Sequence, residues 1–139
     1  YQIRLFETSA SGNQLKEIPV SEKHSDTEPI VLKPTETYQT IIGFGGAFTE
    51  ASAFVLNQLS REQRQTILDL YFSEAGARYS LTRTHINSCD FSLGNYSYAP
   101  IEGDTALQQF NIQEDQDDLI PMIRDAMNTS KDGFKIIAS

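Results

Sequence analysis

The chain has 139 residues, 39% hydrophobic and 22% charged, a composition of ordinary globular proteins that excludes disordered and fibrous classes. No run approaches the roughly 18 apolar residues of a membrane span, and a net charge of −8, from 11 Lys and Arg against 19 Asp and Glu, argues against nucleic acid as a partner. The start, Tyr1-Gln2-Ile3-Arg4, has neither an initiator Met nor the basic-then-apolar layout of a secretory leader, so the chain reads as processed or excised.

Residues 1–37 read as short strands separated by polar loops: Ile3 to Phe6, Leu15 to Val20 and Pro29 to Leu32. The turn formers Ser11-Gly12-Asn13 join the first two as a hairpin. So few apolar residues cannot make a stable domain, and this segment is expected to complete a sheet whose other strands lie elsewhere.

The pattern changes at residue 38. Tyr38 to Ile42 reads as a strand running into Gly43-Phe44-Gly45-Gly46, and helical periodicity follows. Thr49 is the expected N-cap, Glu50 favours the first turn through the helix dipole, and Ala51, Phe54, Val55 and Leu59 form the expected apolar stripe. Ser60 to Gln63 fits a capping box for a second helix with a buried face of Ile67, Leu68, Tyr71 and Phe72, stopped by Gly76. A strand is predicted over Tyr79 to Ile86, then a long irregular loop to about residue 113 whose length marks it as functional. Glu114 to Asn128 reads as a helix with Asp118 as N-cap and Pro121 in its first turn, and Phe134 to Ala138 as a closing strand. Strand, helices, strand, helix, strand implies parallel strands with helical crossovers. An α/β fold follows, either an open doubly wound sheet or the opening of a (β/α)8 barrel, of which this length would hold about three strands.

The glycine stretch falls short of the dinucleotide fingerprint, because the third glycine would stand at Phe48, so nucleotide binding ranks below a tight turn needing positive φ. Arg83-Thr84-His85-Ile86-Asn87-Ser88-Cys89-Asp90 concentrates polar chemistry at a strand end. Period-two alternation puts Tyr79, Leu81, Arg83 and His85 on one face, so Arg83 points into a sheet interior or a covering layer, where a guanidinium needs a carboxylate or several acceptors. Asp90 lies just past the strand, on the edge where parallel sheets and barrels place their sites; the bland alternative is an Asx-turn. His85 reads first as a structural histidine, and Glu114, Asp115, Asp117 and Asp118 as a solvated helix start. Cys89 is the single cysteine, and with His24 and His85 it has no recognised metal spacing. Asn95-Tyr96-Ser97 and Asn128-Thr129-Ser130 are formal glycosylation sequons.

Four blocks occur in order: Gly43 to Ala51 (GFGGAFTEA), Tyr71 to Gly76 (YFSEAG), Arg83 with Ser88 to Ser92 (SCDFS), and Tyr96 to Ala99 (YSYA). Together they resemble the glucosylceramidases of glycoside hydrolase family 30 over residues 38–139. The resemblance implies a (β/α)8 barrel for 38–139, represented by about three strands, and a small β-sandwich to which residues 1–37 contribute. It implies that Asp90 binds sugar hydroxyls, that Phe91 forms the adjoining pocket wall, and that Arg83 supports the active site from the barrel interior. His85 stands where relatives lead one to expect proline.

The family implied is a retaining one, whose two catalytic glutamates, about 5 Å apart, follow the fourth and seventh strands. Neither is assigned to this chain; both are expected beyond Ser139, and Glu50 and Glu74 match no such role. No cofactor and no metal are implied. The expected function is hydrolysis of β-glucosides or glycosphingolipids in a secreted, periplasmic or lysosome-like compartment, with the rest of the barrel and sandwich as partner. The chain by itself is expected to be inactive. The competing reading is a carbohydrate-binding or interaction module that lacks catalysis.

Overall fold

A computed structural model describes residues 2–20, 28 and 30–139, in two compact units, Tyr1–Gln39 and Thr40–Ser139. His24 and Pro29 lie outside the described residues.

In the first unit, β1 (Leu5–Glu7) pairs antiparallel with β2 (Lys16–Ile18), Leu5 opposite Ile18. The predicted turn is present: Gly12, at φ 104, donates its N–H to the Ser9 carbonyl at 3.1 Å. Arg4 lies 4.9 Å over the Phe6 ring and grips Glu17 through two hydrogen bonds of 2.9 and 2.8 Å. Among the described residues of the predicted third strand, Ile30 to Leu32 are exposed and irregular and form no strand.

The second unit is a parallel sheet with helices on one face. Its strands are β3 (Ala47–Phe48), β4 (Leu81–Thr84) and β5 (Lys135–Ala138), in the order β3-β4-β5. Between them run α1 (Glu50–Asn57), α2 (Arg61–Phe72) and, after a 3-10 turn at Gln113–Asp115, α3 (Leu119–Thr129). The order of elements is that of β/α crossovers. The strand predicted at Tyr38 to Ile42 lies elsewhere: pairing to β4 begins in the glycine stretch, where the Phe44 carbonyl accepts from Ser80 and Leu81 and the Gly46 carbonyl from Arg83. Gly43, Gly45 and Gly46 do not have positive φ; close approach, not a left-handed turn, accounts for Gly43 and Gly45, whose added Cβ would meet Ser80 Oγ at 2.5 Å and the Leu81 carbonyl oxygen at 1.8 Å, whereas one on Gly46 would make only ordinary contact. Gly76 does stand past α2, also without positive φ; a Cβ there would meet the Leu70 carbonyl oxygen at 2.3 Å.

Sequence-encoded caps set the helix starts. The Thr49 hydroxyl accepts from Ser52 N–H at 3.2 Å, and Ser60 does the same for Gln63 at 3.2 Å, each within a reciprocal capping box. Asp118 caps α3 through Leu119 N–H, with Pro121 in the first turn.

The core gathers Phe48, Ala53, Leu68, Phe72, Leu119, Met122 and Ala126. Phe48 stacks on Phe72 at 5.6 Å and Phe72 meets Phe134 at 5.2 Å. Each such ring contributes about 1.5–3 kcal/mol of burial, and each aromatic pair about 0.5–1.5 kcal/mol more. Phe48 fills the place that the dinucleotide fingerprint reserves for glycine. The buried face of α1 is Glu50 and Ala53 with Leu56 partly covered, not the predicted stripe; Phe54 and Val55 stay exposed. Over so short a helix, the small Ala53 governs close packing more than the larger apolar residues do.

Register fixes which face of the sheet each residue takes. Ala47, Arg83 and Ile137 are paired neighbours, as are Phe48, Thr84 and Ala138. Phe48 packs under α2, so Arg83 belongs to the opposite, helix-free face. The expected four-residue face does not hold, because Tyr79 precedes β4 and packs on Tyr71 and Phe72 at 5.3 and 5.8 Å.

Candidate active site

The chain leaves β4 at its C-terminal end and stays irregular to the 3-10 turn. It is nonetheless closely tied. Ser88 closes a loop with Tyr96 through three bonds: Ser88 N–H and Ser88 Oγ donate to the Tyr96 carbonyl at 3.2 and 3.1 Å, and Tyr96 N–H donates to Ser88 Oγ at 3.1 Å. Inside that loop, Cys89 N–H donates to Ser92 Oγ at 3.0 Å and Ser92 N–H to the Cys89 carbonyl at 3.0 Å, forming the turn that presents Asp90 and Phe91.

Two bonds moor this turn to α1. Ala51 N–H, one of the free amides at the helix start, donates to the Phe91 carbonyl at 3.0 Å. Leu93 N–H donates to Glu50 Oε2 at 3.0 Å, and this holds the Glu50 carboxylate in its buried position. Asp90 is exposed, and its carboxylate takes no hydrogen bond or ion pair from any described residue, so the Asx-turn alternative fails. Phe91 is 60% exposed and borders an apolar cavity of about 620 Å³ that Val55, Leu56, Ile67 and Tyr71 also line.

Beyond the turn stands a buried acid that the sequence reading placed in solvent. Asp115 is 4% exposed and accepts from the Tyr96 hydroxyl at 2.9 Å and from the Tyr98 hydroxyl. Burial first, then the bond to Asp115 and its charge, push the Tyr98 phenol up to about 12, and the same causes raise Tyr96. Asp118 is also buried. Its carboxyl is held above the usual range by burial, with the Leu119 N–H opposing and the charges of Glu50, Asp115 and Asp117 adding. The solvated reading therefore holds for Glu114 and Asp117 and is corrected for Asp115 and Asp118. The signal in the sequence was the pair of tyrosines at alternate positions, Tyr96 and Tyr98, whose hydroxyls need a buried acceptor.

Arg83 is exposed on the helix-free face and donates from Nε to Ser139 Oγ at 2.8 Å. It meets no carboxylate among the described residues and no part of the Asp90 turn. His85 is buried just past β4, where its Nδ1 donates to the Asn87 carbonyl at 2.6 Å; Nε2 is without a partner among the described residues. Among the described residues no group of three His, Cys, Asp or Glu is arranged to hold a metal, and no helix is long and apolar enough to cross a membrane.

A family model, the glycosyl hydrolase family 30 TIM-barrel domain, matches residues 41–139. The chain belongs to glycosyl hydrolase family 30. Its parallel sheet is accordingly part of a TIM barrel, and the open-sheet alternative is set aside. It is 36% identical over 111 residues to the lysosomal acid glucosylceramidase of Mus musculus, covering 79% of this chain and 22% of that protein. The crystal structure of SrfJ from Salmonella typhimurium matches at 35% identity with a TM-score of 0.79, covering 98% of this chain and 31% of that one. The endo-beta1,6-glucanase BT3312 matches at 28% identity with a TM-score of 0.76, covering 98% and 29%. The chain thus spans less than a third of the length of these relatives.

Proposed function

We propose that this chain forms the opening part of the barrel of a retaining β-glycosidase that hydrolyses β-glucosides, with Asp90 accepting hydrogen bonds from sugar hydroxyls and Phe91 on the pocket wall. Arg83, on the helix-free face, supports the site from what becomes the barrel interior. The observation that carries this is the Asp90 carboxylate, exposed and unpartnered on a turn that seven hydrogen bonds through Ser88, Ser92, Glu50 and Ala51 of α1 hold just beyond a parallel strand. That edge is where barrels of this kind assemble their sites. A fixed carboxylate with free lone pairs suits hydroxyl recognition through charge-assisted bonds.

The two glutamates of the retaining reaction, about 5 Å apart, belong to strands outside this chain, which is inactive alone. Residues 1–37 contribute strands to a small β-sandwich, and 38–139 belong to the barrel. A glucosylceramide-like substrate and a lysosome-like setting draw support from the mouse relative's name. Similarity to an endo-β-1,6-glucanase favours a second reading, a β-1,6-glucan substrate.

Assay of the protein carrying this chain on p-nitrophenyl β-D-glucopyranoside, glucosylceramide and β-1,6-glucan separates the two. Asp90→Asn is expected to lower kcat/KM about 10- to 100-fold, the loss of a charge-assisted bond of about 1.5–3 kcal/mol. Full activity in that variant rejects the role of Asp90. Binding of a β-glucoside without hydrolysis by the protein would leave the carbohydrate-binding alternative.

A further inference from the structure

We infer that Asp115 is a positioning residue that fixes the Asp90–Phe91 turn through the hydroxyls of Tyr96 and Tyr98, an inference that rests on the reading of Asp90 as a sugar ligand.

A buried carboxylate with no cationic partner is costly, and Asp115 has none among the described residues. Its side-chain partners are the two phenols, whose rings lie 5.9 Å apart. Each tyrosine also holds the loop by its backbone. Tyr96 closes the base of the Asp90 loop on Ser88, and Tyr98 N–H donates to Asn87 Oδ1 at 2.8 Å, steadying the residue that leads into the loop at φ 64. The Tyr98 carbonyl accepts from Asn111 N–H at 3.0 Å and its ring meets Phe110 at 6.0 Å, so the same residue closes the following excursion. The far side of the turn is already held by Glu50 and Ala51. Asp115 therefore governs the near side: without it, two half-buried tyrosines lose the acceptor of their hydroxyls and the Ser88–Tyr96 closure loses its anchor.

A purely structural carboxylate would change stability without acting through Asp90, so the test is a double-mutant cycle in the protein carrying this chain. KM and kcat are measured on p-nitrophenyl β-D-glucopyranoside. Asp115→Ala is expected to raise KM about tenfold, Asp115→Asn to recover part of this through its carbonyl oxygen, and Asp115→Ala in the Asp90→Asn background to change kcat/KM less than about twofold. Should Asp115→Ala not fold, the double variant Tyr96→Phe with Tyr98→Phe removes the same bonds and is expected to raise KM likewise. An unchanged KM in the variants at Asp115 or the tyrosines, or an equal cost in both backgrounds, overturns the inference while Asp90→Asn remains impaired. Unimpaired Asp90→Asn removes the reading of Asp90 itself, and this inference with it.

Discussion

A Cβ on Gly45 would stand 1.8 Å from the carbonyl oxygen of Leu81, well inside any contact that real side chains make. The close approach lets the chain from Phe44 to Phe48 lie along β4 and delivers Phe48 to the core. Gly45→Ala is therefore expected to cost about 3 kcal/mol or more, because backbone on both sides must part. Gly94, whose added Cβ meets nothing within 4 Å, serves as control, and Gly94→Ala should stay within about 0.5 kcal/mol. Urea unfolding of both variants reads the difference; equal midpoints would mean that the glycine stretch does not pair as described.

Local chemistry was legible in the sequence. Thr49, Ser60 and Asp118 cap helices because short polar side chains before an apolar run have few other uses, and the order of strands and helices follows from periodicity alone. What escaped depends on distant partners. The strand predicted at Tyr38 to Ile42 lies instead at Ala47–Phe48, because pairing is set by the fit of Gly45 against Leu81. Asp115 read as solvated because its neighbours in sequence are acidic, whereas its partners, Tyr96 and Tyr98, come from the preceding loop. Of the candidate site, the position of Asp90 and Phe91 past a strand end was legible, but the mooring by Glu50 and Ala51 was not.

The half-buried tyrosines make stability depend on alkaline pH. Burial, together with Asp115, raises Tyr98 to about 12, while an unfolded tyrosine ionises near pH 10. Above about pH 10 the unfolded chain releases a proton that the folded one retains, so stability present below that pH is lost as pH rises through 10 to 12. Tyr98→Phe should flatten the profile in that window. Urea unfolding of both proteins at stepped alkaline pH checks it, and coincident slopes would contradict the half-buried setting of Tyr98 against Asp115.

The two capping boxes should separate stability from sugar binding. Ser60→Ala removes the acceptor for Gln63 N–H and is expected to cost about 1 kcal/mol with no change in KM for a β-glucoside. Thr49→Ala should cost about as much and also raise KM, because α1 begins there and its Ala51 N–H holds the Phe91 carbonyl. Unfolding and steady-state kinetics on each variant decide the matter. Equal KM values would detach α1 from the Asp90 turn.

Among the described residues the sheet has two edges, since β3 and β5 each pair with β4 alone, and the face bearing Ala47, Arg83 and Ile137 carries no helix. Ile136, Ile137, Phe54 and Val55 are exposed as well. Unpaired strand edges beside bare apolar surface template association, and continuation of the barrel would cover both. The 139-residue chain produced alone is therefore expected to self-associate and to bind a hydrophobic dye, with a broad thermal transition. Sedimentation and calorimetry measure this directly. A monomer with one sharp melt would show that these edges need no further strands, and the proposal that Arg83 faces a barrel interior would lose its footing.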